Sequence, residues 1–241
     1  ISFSKPIVLG ANQIYPDLLA GIISLYALYI LYQKFKNPLP VCDVKFNNEI
    51  FLSIFLSYLP WLHIKNILPA LILILSNIYL CRKDKRKILI DLSIFVFSIL
   101  LLMLYNYYAY DNFFGPYRGK GLTLNDITAV KVFLGLHFDQ HHGMVFQNPL
   151  WLIGFLFIGK YIKENKIYSL IVITVYFSFI VPNSLHSNWY GGWSFSGRFM
   201  WAAYVTFIPI TAYGLMELFK IEKKLFYFIL FLSIGYQIIL Y

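Results

Sequence analysis

"ILIDLSIFVFSILLLMLYNYYA", residues 88–109, decides the fold, because Asp91 is the only charged side chain in the run. A helix rises 1.5 Å per residue, so these residues reach about 33 Å, enough to cross the roughly 30 Å hydrocarbon core of a bilayer. The stretch predicts a membrane-spanning helix. The same test applied outward from it predicts about eight spans, near 16–33, 49–62, 65–81, 88–109, 148–162, 167–183, 198–217 and 225–241. Composition agrees: 59% of the 241 residues are hydrophobic and 13% charged, with a mean hydropathy of +0.66. A soluble domain is about half apolar and a quarter charged. The expected fold is an all-α polytopic transmembrane bundle, with residues 1–241 forming a single transmembrane domain.

The cations test this topology through the excess of Lys and Arg in cytoplasmic loops. Fourteen of the twenty Lys and Arg residues fall on one predicted face, in the connections around Lys34–Lys45, Arg82–Lys87, Lys160–Lys166 and Lys220–Lys224. Six fall on the other: Lys5, Lys65, Arg118, Lys120, Lys131 and Arg198. The first face is therefore expected to be cytoplasmic. Cys42 and Cys81 lie there, where thiols stay reduced, and no disulfide is expected. All five histidines gather at the external face with Asp17, Asp111, Asp126 and Asp139. Chemistry is accordingly expected outside. Ile1–Gly10 lacks a basic segment followed by an apolar core and does not read as a signal peptide. The chain reads instead as part of a longer protein.

Four polar stretches stand out on the external face. "LTLNDITAVKVFLGLHF" (122–138) has helically spaced apolar residues and predicts an interfacial helix. "HFDQHHG" (137–143) brings together His137, Asp139, His141 and His142, a set that could suit a divalent cation or form a polar turn. "PWLHIKN" (60–66) is the tip of a short hairpin over residues 49–81 that contains Pro60 and Pro69. Short, proline-interrupted segments are tolerated where backbone lines a cavity. There His63 and Lys65 face a phosphate, or Lys65 snorkels beside Trp61 as an interfacial anchor. "HSNWYGGWSFSGRF" (186–199) mixes aromatic-belt residues with Gly191, Gly192 and Gly197, and then Arg198. Glycine permits close backbone approach and a guanidinium can grip phosphate through two bonds, so the stretch reads as a site rather than an anchor.

Other charged residues have local explanations. Asp91 follows Lys87 by four residues, the spacing of an intrahelical ion pair. Asp17 follows Pro16 at a helix start, where the helix dipole stabilises a carboxylate. "CRKDKRK" (81–87) suits anionic lipid headgroups.

Taken together, "NQIYPDLLAG" (12–21), "GLHFDQHHGMVFQNPLWL" (135–152) and "NWYGGWSFSGRF" (188–199) resemble, in order and approximate spacing, the middle and C-terminal parts of bacterial polytopic glycosyltransferases of the GT-C superfamily. The likeness is to the protein-mannosyltransferase and aminoarabinose-transferase type, and the "PWLH" tip resembles a matching segment there. The resemblance implies an enzyme of the bacterial inner membrane that moves a sugar from a polyprenyl-phosphate carrier to an acceptor on the extracytoplasmic face. It places Gly191, Gly192, Trp193, Ser194, Arg198, Phe138, Asp139 and Gly143 on the catalytic face. It also implies a catalytic acid in a first external loop that would precede residue 1.

Inverting transfer from a phosphate-linked sugar needs a base for the acceptor and cations for the departing phosphate. Lys65, Arg118 and Arg198 are the candidate cations, with His63 and Trp193 beside them, and Asp139 is the visible carboxylate for the base. A divalent cation on His137, Asp139 and His141 remains an option. Membrane lipids and an acceptor are expected partners and nucleic acid is not. The rivals are a lipid or solute transporter and a non-catalytic assembly subunit.

Overall fold

A computed structural model describes residues 16–36, 46–116, 126–141, 143–186 and 198–240. Among them the chain is helical and holds no strand. The helices are α1 (Pro16–Lys36), α2 (Phe46–Leu62), α3 (Ile67–Leu80), α4 (Lys85–Tyr110), α5 (Asp126–Phe138), α6 (Met144–Gln147), α7 (Trp151–Glu164), α8 (Lys166–Ser184), α9 (Trp201–Ile221) and α10 (Lys223–Leu240). Single 3-10 turns at Ile64–Asn66 and Arg198–Met200 lead into α3 and α9.

Among the described residues, four segments are long and apolar enough to cross a membrane: Pro16–Lys36, Lys85–Tyr110, Lys166–Ser184 and Arg198–Ile221. The 22-residue run at 88–109 lies inside the second of these. The sequence predicts eight spans, and the difference is one of helix length. α2, α3 and α7 have 17, 14 and 14 residues, so at 1.5 Å per residue they reach only about 21–26 Å. α10 has 18 residues and opens on Lys223 and Lys224. Of the expected interfacial segment, the described residues form the 13-residue α5.

The chain divides into two compact units, one of residues 1–21 with 121–241 and the other of 22–120. Unit two is built on α2, which packs along α4 and turns back through the 3-10 turn into α3. The Asp84 side chain caps α4 by accepting from the backbone N–H groups of Arg86 and Lys87. Left-handed backbone at Asp111 ends that helix.

In unit one, α9 packs against α7 and α8 and buries Trp201, Tyr204 and Phe207 almost completely. Facing glycines bring α7 and α9 together. A Cβ on Gly214 would lie 2.8 Å from the Ile153 carbonyl oxygen, and one on Gly154 would lie 2.6 Å from the Phe207 ring. In lipid, where apolar solvent gives helices no hydrophobic reason to associate, such close backbone contact supplies the van der Waals attraction. Trp151 stacks on Tyr204 just above it, with centroids 5.7 Å apart and planes 12° apart.

Gly214→Ala is expected to force these helices apart, costing about 1–3 kcal/mol by overpacking. Thermal unfolding in detergent should show a lowered midpoint. Gly159→Ala, where a Cβ meets nothing within 4 Å, should show no loss.

Candidate functional site

Unit one brings two of the three motif stretches into contact. The Arg198 Nε–H donates to Asp17 Oδ2 at 3.0 Å, joining residues 181 positions apart. Asp17 keeps 3% of its side-chain surface and Arg198 22%. The helix-start explanation of Asp17 is thus incomplete, because its carboxylate also has a specific cation. The Arg198 guanidinium sits 5.6 Å from the Phe199 ring centroid. Asn183 fixes the backbone there by donating from Nδ2 to Phe199 O at 2.7 Å and to Phe179 O at 2.9 Å. Gly21 completes the junction, since a Cβ would meet Ala202 Cα and Val205 Cβ at 2.9 Å.

The second stretch, 135–152, belongs to the same unit and is held by α5–α7 and the C-terminal helix. Tyr236 donates to Phe146 O at 2.5 Å, Gln237 to Gln147 O at 2.6 Å, and Ser233 to Asn148 Oδ1 at 3.1 Å. Asp139 Oδ1 accepts from the His141 N–H at 2.8 Å, forming a local turn. Gly143 is required there, as a Cβ would lie 2.4 Å from Asp139 N and O. This carboxylate, read from sequence as the candidate base, is half-buried and helps to order its own loop.

His137 is a packing residue. Its Nδ1 lies 2.7 Å from Phe133 O, a pure acceptor, so Nδ1 carries the hydrogen and Nε2 accepts from Tyr176 OH at 2.8 Å. Both nitrogens are thereby committed, and the ring is a poor metal ligand. Among the described residues no group of three His, Cys, Asp or Glu side chains is placed to hold a metal ion. Burial pushes the His137 imidazole below its ordinary value, with the Phe133 carbonyl pulling the other way.

In unit two, His63 Nδ1 accepts from the Lys65 N–H at 3.2 Å and caps the 3-10 turn. His63 also lines an aromatic-walled cleft, and Lys65 is half-buried at the same tip. Arg118, Gly191, Gly192, Trp193 and Ser194 lie outside the described residues.

A buried polar network at the other end of unit two escaped the sequence reading. Lys34 Nζ lies 2.6 Å from Glu49 Oε1 and donates to Asn77 Oδ1 at 2.6 Å. Asn77 donates to Asp91 Oδ2 at 2.7 Å, and Ser53 to Asp91 Oδ1 at 2.5 Å. Asp91 therefore bonds across to α2 and α3. Its helical spacing from Lys87 hid partners 38 and 14 residues away.

Compared with protein-family models, curated proteins and solved structures, the chain matches none.

Two outcomes test this geometry. Because unfolded His137 takes up a proton near pH 6.5 that the folded ring resists, unit one should lose stability as pH falls through that value, and His137→Gln should flatten the slope of unfolding midpoint against pH. Glu49→Gln should leave Lys34 without its counter-ion and cost about 3–5 kcal/mol in denaturant unfolding.

Proposed function

We propose that the protein is an integral-membrane glycosyltransferase that moves a sugar from a polyprenyl-phosphate carrier to an acceptor on the extracytoplasmic face. In this reading the shorter apolar helices α2, α3, α7 and α10 complete about eight membrane segments, and the protein resides in a bacterial inner membrane. The observation that carries the proposal is the Asp17–Arg198 pair. It joins the first and third of the stretches that resemble GT-C enzymes, and the second lies in the same unit.

Arg198 binds the phosphate of the carrier. A guanidinium has five N–H donors, and Asp17 accepts from the one on Nε, which fixes the plane of the group. Asp17 is thus a positioning residue. In the reaction the acceptor oxygen attacks the anomeric carbon while its proton passes to a carboxylate, for which Asp139 is the candidate. The bond from that carbon to the phosphate oxygen breaks, and its electron pair leaves with the polyprenyl phosphate. Positive charge aimed at the departing phosphate stabilises the transition state more than the ground state.

Arg198→Ala should lower sugar transfer from a polyprenyl-phosphate sugar by roughly a hundredfold or more. Asp17→Asn should reduce it less and raise KM more than it lowers kcat. Wild-type turnover in Arg198→Ala would remove this residue from the site.

The buried network of Lys34, Glu49, Asn77 and Asp91 favours a second reading, a lipid or solute transporter, since ionisable residues within membrane helices commonly mark transport paths. Flux in proteoliposomes that Asp91→Asn abolishes, with no sugar transfer by the wild type, would establish that alternative.

A further inference from the structure

We propose that the cleft at the Pro60–Pro116 end of unit two binds the ring of an uncharged sugar. The cleft has a volume of about 360 Å³, near the lower end of the roughly 300–1,000 Å³ typical of small-molecule sites. It suits one or two rings rather than a long chain. Its walls are Trp61, Tyr105, Tyr110 and Phe114, and its polar groups include His63 and Asn106.

The walls are held from outside the cleft. Trp61 Nε1 donates to Ser98 Oγ at 3.0 Å and Ser98 donates to Ser57 O at 3.0 Å, which fixes the indole by its edge. Tyr105 lies 6.1 Å from the indole, its plane tilted by 37°. The loop that closes the cleft turns at Asp111 (φ 50°) and Gly115 (φ 85°) and is clamped by Tyr107 stacked on Phe113 at 4.9 Å.

The polar groups are oriented as well. Asn106 Nδ2 donates to Phe113 O at 3.2 Å, which assigns the other amide atom as an acceptor. That Oδ1 would be 3.5 Å from a Cβ on residue 115, so glycine there leaves space beside it. At His63 the Lys65 N–H occupies Nδ1, placing the ring hydrogen on Nε2.

Electron-rich aromatic faces and an amide acceptor match a molecule with one C–H face and a rim of hydroxyls. A pyranose has that pattern. An acyl chain would bury the Asn106 oxygen without a donor, an unfavourable exchange. The binding argument stands on the cleft alone, whereas assigning the ring to the donor or the acceptor of the reaction rests on the transferase reading.

The test is saturation-transfer NMR on the full chain in a detergent without a sugar headgroup, using methyl glycosides of glucose, mannose and galactose as probes. Signal should reach the ring C–H protons of at least one glycoside, and binding should weaken at least about fivefold in Trp61→Leu and in Asn106→Ala. Tyr105→Leu, at a half-exposed position, provides a third variant that leaves the Trp61–Ser98 bond intact. No transfer to any glycoside, equal signal in folded variants, or displacement of a bound lipid as the sole event would overturn the inference. Gly159→Ala, where a Cβ meets nothing within 4 Å, should bind glycosides as the wild type does. Glycoside binding without sugar transfer by the wild type would defeat the transferase reading alone, and sugar transfer without glycoside binding would defeat the cleft alone.

Discussion

A buried carboxylate in an apolar helical unit is tolerated only when something repays its lost hydration, and at Asp17 that partner includes Arg198. Much of unit one's arrangement follows from this requirement. The first turn of α1 must reach the 3-10 turn that starts α9, and Gly21 and Ala202 are small enough to let those backbones meet. Asn183 then holds the carbonyl of Phe199, next to the arginine, so the cation is supported by backbone as well as by its counter-ion. The consequence for function is a guanidinium with a defined plane at a partly open position.

The two units handle polar burial differently. Unit two confines Lys34, Glu49, Asn77, Ser53 and Asp91 in one network, where each side chain answers another from a different helix. Removing any one member would leave a neighbour unsatisfied, which makes this network a determinant of how α1–α4 pack within their unit. Unit one leaves the Asp17–Arg198 pair partly exposed and adds aromatic packing, with His137, Tyr176, Phe207 and Trp151 in successive contact.

The long spans were legible because hydrocarbon thickness imposes a length and lysines mark the ends. The predicted 88–109 became Lys85–Tyr110, and 167–183 became Lys166–Ser184. Short helices were harder, since a run of 14 apolar residues reads similarly whether it crosses a bilayer or packs within a bundle. The site was legible in part. Arg198 stood out from its glycine-rich context, but Asp17 had a sufficient local explanation at a helix start, and no periodic pattern links residues 181 apart. His137 shows the opposite case: a dense run of histidines and a carboxylate left a cation site or a polar turn open, and the fold turns this ring inward to bridge Phe133 and Tyr176.

The central claim is that Asp17 and Arg198 act as one unit, and a double-mutant cycle measures this directly. Asp17→Asn, Arg198→Gln and the double variant would be unfolded in denaturant in the same detergent. A coupling of about 1 kcal/mol or more between the two positions is the predicted result. Additivity within roughly 0.3–0.5 kcal/mol would contradict the account, because two side chains without a shared interaction lose stability independently.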